Sequence, residues 1–438
     1  MKSKNETLRI SLFFDGGNND AFDKNEKISI HTNASTPVAE HDILQSNIYR
    51  LYSNIHSKRN AFNKSIYVGG GNSTTSGSKQ DSDSITDFDP YEVNSKTNIA
   101  FRNLIDILKE FCAQHKEVTL NLKIDLFGFS VGAALARNFA NLLHSNGTIN
   151  DDIASVLCVH NNILKGISFG FIGLFDGTKT DFSGVANAKI NLDLNEIKAD
   201  ATFHLTALHE FRENFPLLSV TNNTHYATSC NLDTLGSSSN RVTNTFEFAV
   251  PGSHKDIGGG CQLFEDENII INTKPTYIAT GLAESIQNLI DSNLLLAPLF
   301  AQMKFEYNIF RGGYTAVNCR KNIYGHLQLL YARLMVDTAV KFGVPFDHAK
   351  FEVAHPIPAE LGYFFSTLLD CRDLLLNVKN FSSPLNVLDA PLVQKYVHLS
   401  AAAKASIAVD KRKIKISLLG KTLTSRKSFS FLNSAAAM

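Results

Sequence analysis

The sequence predicts an α/β fold built on a mostly parallel sheet, for three reasons. Strand-like and helix-like segments alternate up to about residue 260. Some of the strand-like segments are near-continuous apolar runs, as strands covered on both faces are. After Pro275 the apolar spacing becomes helical. With 438 residues, the chain exceeds the usual size of one core. The expected division is a sheet-bearing region at 1–270 and a mainly helical region at 271–438, packed on the sheet or capping one end.

Each element has a local reason. Residues 8–14 (LRISLFF) form an apolar strand closed by the turn Asp15-Gly16-Gly17-Asn18. Residues 42–57 carry apolar positions at helical spacing, and 65–68 (SIYV) read as a short strand. Residues 69–89, rich in Gly, Ser, Thr and Asp, read as a loop. Residues 97–113 are an amphipathic helix with an Asn or Thr cap. Residues 118–127 alternate, with Val118, Leu120, Leu122, Ile124 and Leu126 on one face. A helix over 131–144 ends at Asn146-Gly147. Residues 167–175 (ISFGFIGLF) read as a central strand, 200–214 as a helix, 216–245 as an irregular excursion and 244–250 as a strand closed by Pro251-Gly252. Further helices are expected at 276–300, 324–343, 359–378 and 392–407.

Composition excludes several functional classes. Lys+Arg and Asp+Glu are both 42, and a zero balance argues against a dedicated nucleic-acid binder. A hydrophobic content of 44% with 19% charged residues excludes a mainly disordered chain. Cys112, Cys158, Cys230, Cys261, Cys319 and Cys371 form no C-x-x-C pair and read as free thiols. The N-terminal segment lacks the apolar run of a Sec signal, so the expectation is synthesis in the cytoplasm without that route. No apolar run is long enough to cross a bilayer as a helix.

Gly128-Phe129-Ser130-Val131-Gly132 fits G-x-S-x-G. So does Gly166-Ile167-Ser168-Phe169-Gly170, so context must decide between them. Ser130 follows a strand and opens the small-residue helix VGAALARNFANLL, the strand–turn–helix elbow that exposes a hydroxyl above a sheet. Ser168 begins an apolar strand with no helix after it. The competing role for Ser130 is a helix N-cap.

A serine nucleophile needs a base, and the base needs an acid that fixes its tautomer. Asp176 lies at the end of the apolar strand 167–175, where open α/β sheets carry their sites. His254 lies in PGSHKDIGGG after strand 244–250. The order Ser130, Asp176, His254 fits this fold. Asp181 is a weaker competitor to Asp176. Asp256 orients the loop or replaces Asp176 as the acid. His254 and Asp256 offer two metal donors, but no third stands at a sensible spacing, so no metal and no cofactor is expected. The oxyanion donors are the N–H of Val131 and the loop at Gly16 and Gly17, supported by Asp15. FFDGG also hints at an aspartate-nucleophile phosphatase, but that chemistry wants a second acid where Gly17 stands.

These residues resemble a known family. LFFDGGNN looks like its FDGTxNN start, and SNIYRLYSNI with SIYVGGGNSTT like its helix and glycine loop. GFSVGAALAR resembles GFSRGAxxAR, GLFDGT its FDT strand end, HLTALHEFRENFPLL its H-x5-E-R helix, and PGSHKDIGGG its PGxHxDVGGG loop. HLQLLYARLMVDTAVKFGVPF and KYVHLSAAA resemble its C-terminal helices. The family is the type VI secretion lipase effectors, family 1, with an α/β-hydrolase-like domain. The resemblance implies a sheet with helices on both faces and a C-terminal helical extension. It also implies phospholipid ester hydrolysis at a membrane surface, by Ser130, Asp176 and His254. Export into a target cell, peripheral membrane binding, a spike protein as carrier and a cognate immunity protein follow from the same likeness. The chain departs from the pattern at Val131 (Arg in the family), Gly17 (Thr) and Gly177 (Thr). An esterase on soluble substrates and a non-catalytic adaptor are the alternatives.

Two apolar clusters, Leu294–Leu296 with Pro298–Phe300 and Phe364–Phe365 with Leu368–Leu369 and Leu374–Leu376, read mainly as core and otherwise as an interfacial lid. Between Lys411 and Lys427 the tail carries seven Lys/Arg and no acid, a stretch suited to anionic headgroups.

Overall fold

In the computed structural model, six strands form one fully parallel sheet: β1 (Lys4–Phe14), β2 (Asn63–Val68), β3 (Val118–Phe129), β4 (Ile163–Phe175), β5 (Ala199–Ala207) and β6 (Thr245–Val250), in the order β2-β1-β3-β4-β5-β6. The described residues are 4–16, 45–55, 61–70, 90–178, 190–210, 215–220, 244–270, 298–299, 303–308, 313–377 and 390–399. The strand order reverses at β1: β2 lies on one side of it and β3 on the other. That reversal opens a crevice at the carboxyl ends of β1 and β3, the usual place for a site in such sheets.

Helices cover both faces. The helices are α1 (Asn47–Asn54), α2 (Pro90–Gln114), α3 (Val131–Ser145), α4 (Gly147–Cys158), α5 (His254–Gly258), α6 (Leu327–Lys341), α7 (His348–Ala354), α8 (Gly362–Asn377) and α9 (Ala390–Tyr396). Leu8, Ile10, Leu12 and Phe14 of β1 with Leu122, Ile124 and Leu126 of β3 pack against α2, α3 and α4. Phe13, Phe127, Phe129, Phe171 and Phe203 face α1, α6 and α8. The two periodicities interlock as expected: alternate strand residues feed opposite cores. Phe364, Phe365, Leu368 and Leu375 lie in that second core, as the packing reading required, while Leu374 is 47% exposed. Of the other apolar cluster, Leu299 is fully buried, whereas residues 294–297 and 300 lie outside the described residues, as does the basic tail.

Two expectations need correction. Residues 199–207 form β5, not a helix. Ala201, Phe203 and Leu205 are buried, the strand pairs with β4 and β6 on its two sides, and its apolar residues recur at every second position, the period of a strand. The helix over 131–144 does end at Asn146, whose side chain accepts from Thr148 N and starts α4 at once. The C-terminal region is not purely helical: β7 (Phe264–Ile270), β8 (Met303–Asn308) and β9 (Gly313–Tyr324) form an antiparallel sheet in the order β7-β9-β8. Ser168 sits within β4, paired in register with Lys123, so the second G-x-S-x-G makes no elbow.

A buried ion pair stitches the C-terminal region to the sheet. The β3–β4 register shifts between Ile124 and Leu126, at Asp125, whose Oδ1 accepts Phe171 N instead. Asp125 also accepts from Arg9 Nε at 2.7 Å, Arg9 Nη2 at 2.8 Å and Ser11 Oγ at 2.9 Å. Arg9 in turn donates to the carbonyls of Phe342 and Gly343, just past α6. Burial pushes the Asp125 carboxyl above the usual range while Arg9 pulls it back. Removing one partner leaves the other charge buried, so Asp125→Ala should lose about 3–5 kcal/mol of stability. A urea denaturation midpoint equal to that of the wild type would refute this.

Candidate functional site

Strand register delivers the site residues to one edge. Phe129 of β3 pairs with Phe175 of β4, and Phe175 with Leu205 of β5, so Ser130 and Asp176 occupy the next positions on neighbouring strands. Phe14 pairs with Gly128, which places Asp15 and Gly16 beside them. Ala207 pairs with Val250, and the chain then runs through Gly252 into α5 with His254 at its start.

Ser130 has φ 57° and ψ −123°, a sparsely populated conformation for a side-chain-bearing residue. Its surroundings over-determine it. Ser130 N donates to Phe175 O, and its carbonyl accepts from Ala133 N and Thr178 N. The side chain does not cap α3, which removes the N-cap role. Ser130 Oγ instead rests 3.2 Å from Thr178 Oγ1. The pattern glycines are steric requirements. A Cβ on Gly132 would lie 2.2 Å from Phe14 O, and one on Gly128 would lie 2.6 Å from Ala133 Cα. α3 can therefore start tight against the end of β1.

Asp176 also has positive φ, 38°. Its N–H donates to Leu205 O, its Oδ1 accepts from Ala207 N at 2.9 Å, and its Oδ2 lies 2.6 Å from His254 Nδ1. The imidazole sits between the rings of Phe129 (4.6 Å) and Phe215 (5.1 Å). Those rings fix its plane, and the carboxylate fixes its tautomer with Nδ1 protonated. A Cβ on Gly258 would meet the Phe129 ring at 1.8 Å, so only glycine lets α5 pack there. Asp181 and Gly17 lie outside the described residues.

The loop after β1 is held by Asp15. Its Oδ2 accepts from Tyr67 Oη at 2.8 Å and from Ser46 Oγ, and its Oδ1 accepts from Gly16 N at 2.8 Å. Gly16 adjoins Ser130, since a Cβ there would lie 2.9 Å from Ser130 Cβ. The Gly16 N–H is engaged by Asp15, so it reaches an oxyanion only by exchanging that bond. The Val131 N–H lies in the first turn of α3, where no intrahelical acceptor exists.

Sequence reasoning missed a supporting pair. Gly177 N donates to His204 Nε2 at 3.0 Å, and His204 Nδ1 lies 2.7 Å from Glu247 Oε2. Glu247 also accepts from Ser219 Oγ and Val220 N. The pair props the turn carrying Asp176 and Thr178. Its signal was a single polar residue between apolar ones in each strand, FHL and FEF. A second histidine supports the other loop: His209 Nδ1 accepts from Gly252 N at 2.9 Å, and His209 N donates to Gly252 O. Burial lowers His209 to about 4, against a pull upward from Asp256. Below pH 6.5 the unfolded chain therefore takes up a proton that the folded chain refuses until about pH 4. The contribution of His209 is intact above pH 6.5 and falls as pH drops across that window. Urea midpoints between pH 7 and 4.5 should show this slope, and it should be shallower in His209→Gln.

Asp256 is not beside the imidazole nitrogen; Asp176 is. Asp256 Oδ2 accepts from Ser253 N and His398 N, and its Oδ1 lies 2.7 Å from His398 Nδ1 and 3.8 Å from Cys261 Sγ. Burial holds the Cys261 thiol well above its ordinary value, with Asp256 adding to the effect. With no metal bound it is a protonated thiol and not an activated one.

No protein-family model and no curated protein matches the chain. Among solved structures, the Tle1 effector bound to the VgrG spike from the Type 6 secretion system is similar at 22% identity and TM-score 0.64, over 91% of this chain and 85% of that one. An uncharacterized protein from Pseudomonas aeruginosa is similar at 15% identity and TM-score 0.47, over 84% of this chain and 51% of that one. The first likeness shows a shared fold across nearly the whole chain: a six-stranded parallel sheet with helices, and a C-terminal region that contains helices.

Proposed function

We propose that this chain is a serine hydrolase that cleaves fatty-acyl esters of membrane phospholipids, and that it acts as a type VI secretion effector. One observation carries the chemistry. A serine on a strained strand–helix elbow shares a sheet edge with an imidazole whose Nδ1 is 2.6 Å from a buried carboxylate. The shared fold with the Tle1 effector bound to the VgrG spike supports the biological setting, and the substrate class follows from the motif likeness set out above.

In the proposed reaction Ser130 Oγ swings from Thr178 and attacks the ester carbonyl while its proton passes to His254 Nε2. Asp176 stabilises the resulting imidazolium. The Val131 N–H and a second donor from the Gly16–Gly17 loop hold the oxyanion. The intermediate collapses to acyl-Ser130, and the lysophospholipid leaves with the proton from His254. Water, deprotonated by His254, then releases the fatty acid. No step calls for a metal or cofactor. Among the described residues no helix is long and apolar enough to cross a membrane, so access to lipid is proposed as peripheral. A spike protein as carrier and an immunity protein as inhibitor complete the proposal.

The test is fatty-acid release from mixed phosphatidylglycerol and phosphatidylethanolamine vesicles, with products read by mass spectrometry. Release with one acyl position favoured supports the reading. Turnover confined to short soluble esters would replace it with the soluble esterase, and no turnover of either with a non-catalytic adaptor.

A further inference from the structure

Asp256, Cys261 and His398 bring oxygen, sulfur and nitrogen donors within 4.8 Å of one another, all from buried residues. Asp256 and Cys261 flank the Gly258–Gly260 turn, whereas His398 arrives from the segment after α9. We propose that these three side chains form a structural zinc site, with water as fourth ligand, that clamps residues 397–399 onto the loop bearing His254.

Two features support it. The donors are pre-positioned by groups outside the site. Two backbone N–H bonds fix Asp256 Oδ2 and leave Oδ1 facing sulfur and nitrogen. Gln328 grips the Cys261 backbone from both sides, accepting its N–H and donating to its carbonyl. Such outer-shell fixing is what metal sites use to aim their ligands. The spacing also fits. Bonds of about 2.0–2.3 Å to tetrahedral zinc set ligand atoms about 3.3–3.6 Å apart. The observed Oδ1–Nδ1 and Oδ1–Sγ separations, 2.7 and 3.8 Å, bracket that range and need only small shifts.

The charges balance. The carboxylate and a thiolate neutralise a divalent ion, the imidazole binds neutral, and the protons of the Cys261 thiol and His398 imidazolium leave to solvent. Thiolate with imidazole selects zinc over magnesium or calcium, which prefer all-oxygen sets. Sequence spacing concealed the site because its third donor lies 142 residues beyond Asp256.

The test uses the full chain purified without chelator and reads no substrate, so it is separate from the hydrolase reading. Mass-spectrometric metal analysis after dialysis should give one equivalent of zinc. Replacement by cobalt should give the near-ultraviolet thiolate-to-cobalt band. Both should be lost in Cys261→Ser and His398→Gln with circular dichroism retained, and kept in Cys112→Ser, whose thiol is buried elsewhere. Should Cys261→Ser fail to fold, the wild-type band and its survival in Cys112→Ser and Cys371→Ser still decide. Wild-type protein without zinc and without the cobalt band would overturn the proposal. So would a folded Cys261→Ser that keeps its zinc.

Discussion

Ser130→Ala should abolish measurable release of fatty acid from phospholipid vesicles, with a fall in kcat of roughly 10⁴-fold or more. Removing the oxygen removes the acyl-enzyme route, and what remains comes from binding and the oxyanion donors. The substitution suits the question because little else depends on the hydroxyl. Among the described residues its side-chain hydrogen bond is to Thr178, and the elbow is held through the backbone by Phe175, Ala133 and Thr178. The unfolding midpoint should therefore stay close to that of the wild type, while vesicle binding survives. A variant that keeps its activity would remove Ser130 as nucleophile. In that event Ser168 is no substitute, since it lies inside β4.

How much of this was legible in the sequence follows from where each determinant resides. β1, β3 and β4 were readable because strands buried on both faces need runs such as LRISLFF and ISFGFIGLF, and the elbow because its glycines are steric necessities at 128 and 132. β5 was legible in principle: in residues 199–207 the apolar Ala199, Ala201, Phe203, Leu205 and Ala207 alternate with Asp200, Thr202, His204 and Thr206, a strand period that the helical reading of 200–214 passed over. The β7-β9-β8 sheet was missed for a different reason: antiparallel strands with polar faces, such as FEDENII, carry a weak periodic signal. At the site, Asp176 could be placed because it follows directly on a strand, and His254 because it lies in the glycine-rich loop after one. The His204–Glu247 prop and the partners of Asp256 depend on contacts 43 and 142 residues apart in sequence, beyond the reach of local pattern.

Asp176→Asn should cost about 10⁴-fold in kcat with KM nearly unchanged. Asp176 does two separable things. Oδ1 anchors Ala207 N, a role the asparagine carbonyl oxygen can keep, so the turn should hold its shape. Oδ2 faces His254 Nδ1 at 2.6 Å, and there an amide nitrogen presents a donor where an acceptor stood. The imidazole answers by carrying its proton on Nε2, which disables it as a base toward Ser130 while the rings of Phe129 and Phe215 hold it in place. The residual rate should rise with pH as hydroxide takes over deprotonation of the serine, whereas the wild-type rate should level off once His254 is neutral. If Asp256 were the orienting acid instead, Asp176→Asn would leave kcat near wild type and Asp256→Asn would carry the loss. The geometry argues against that outcome, because both Asp256 oxygens are already engaged by Ser253, His398 and Cys261.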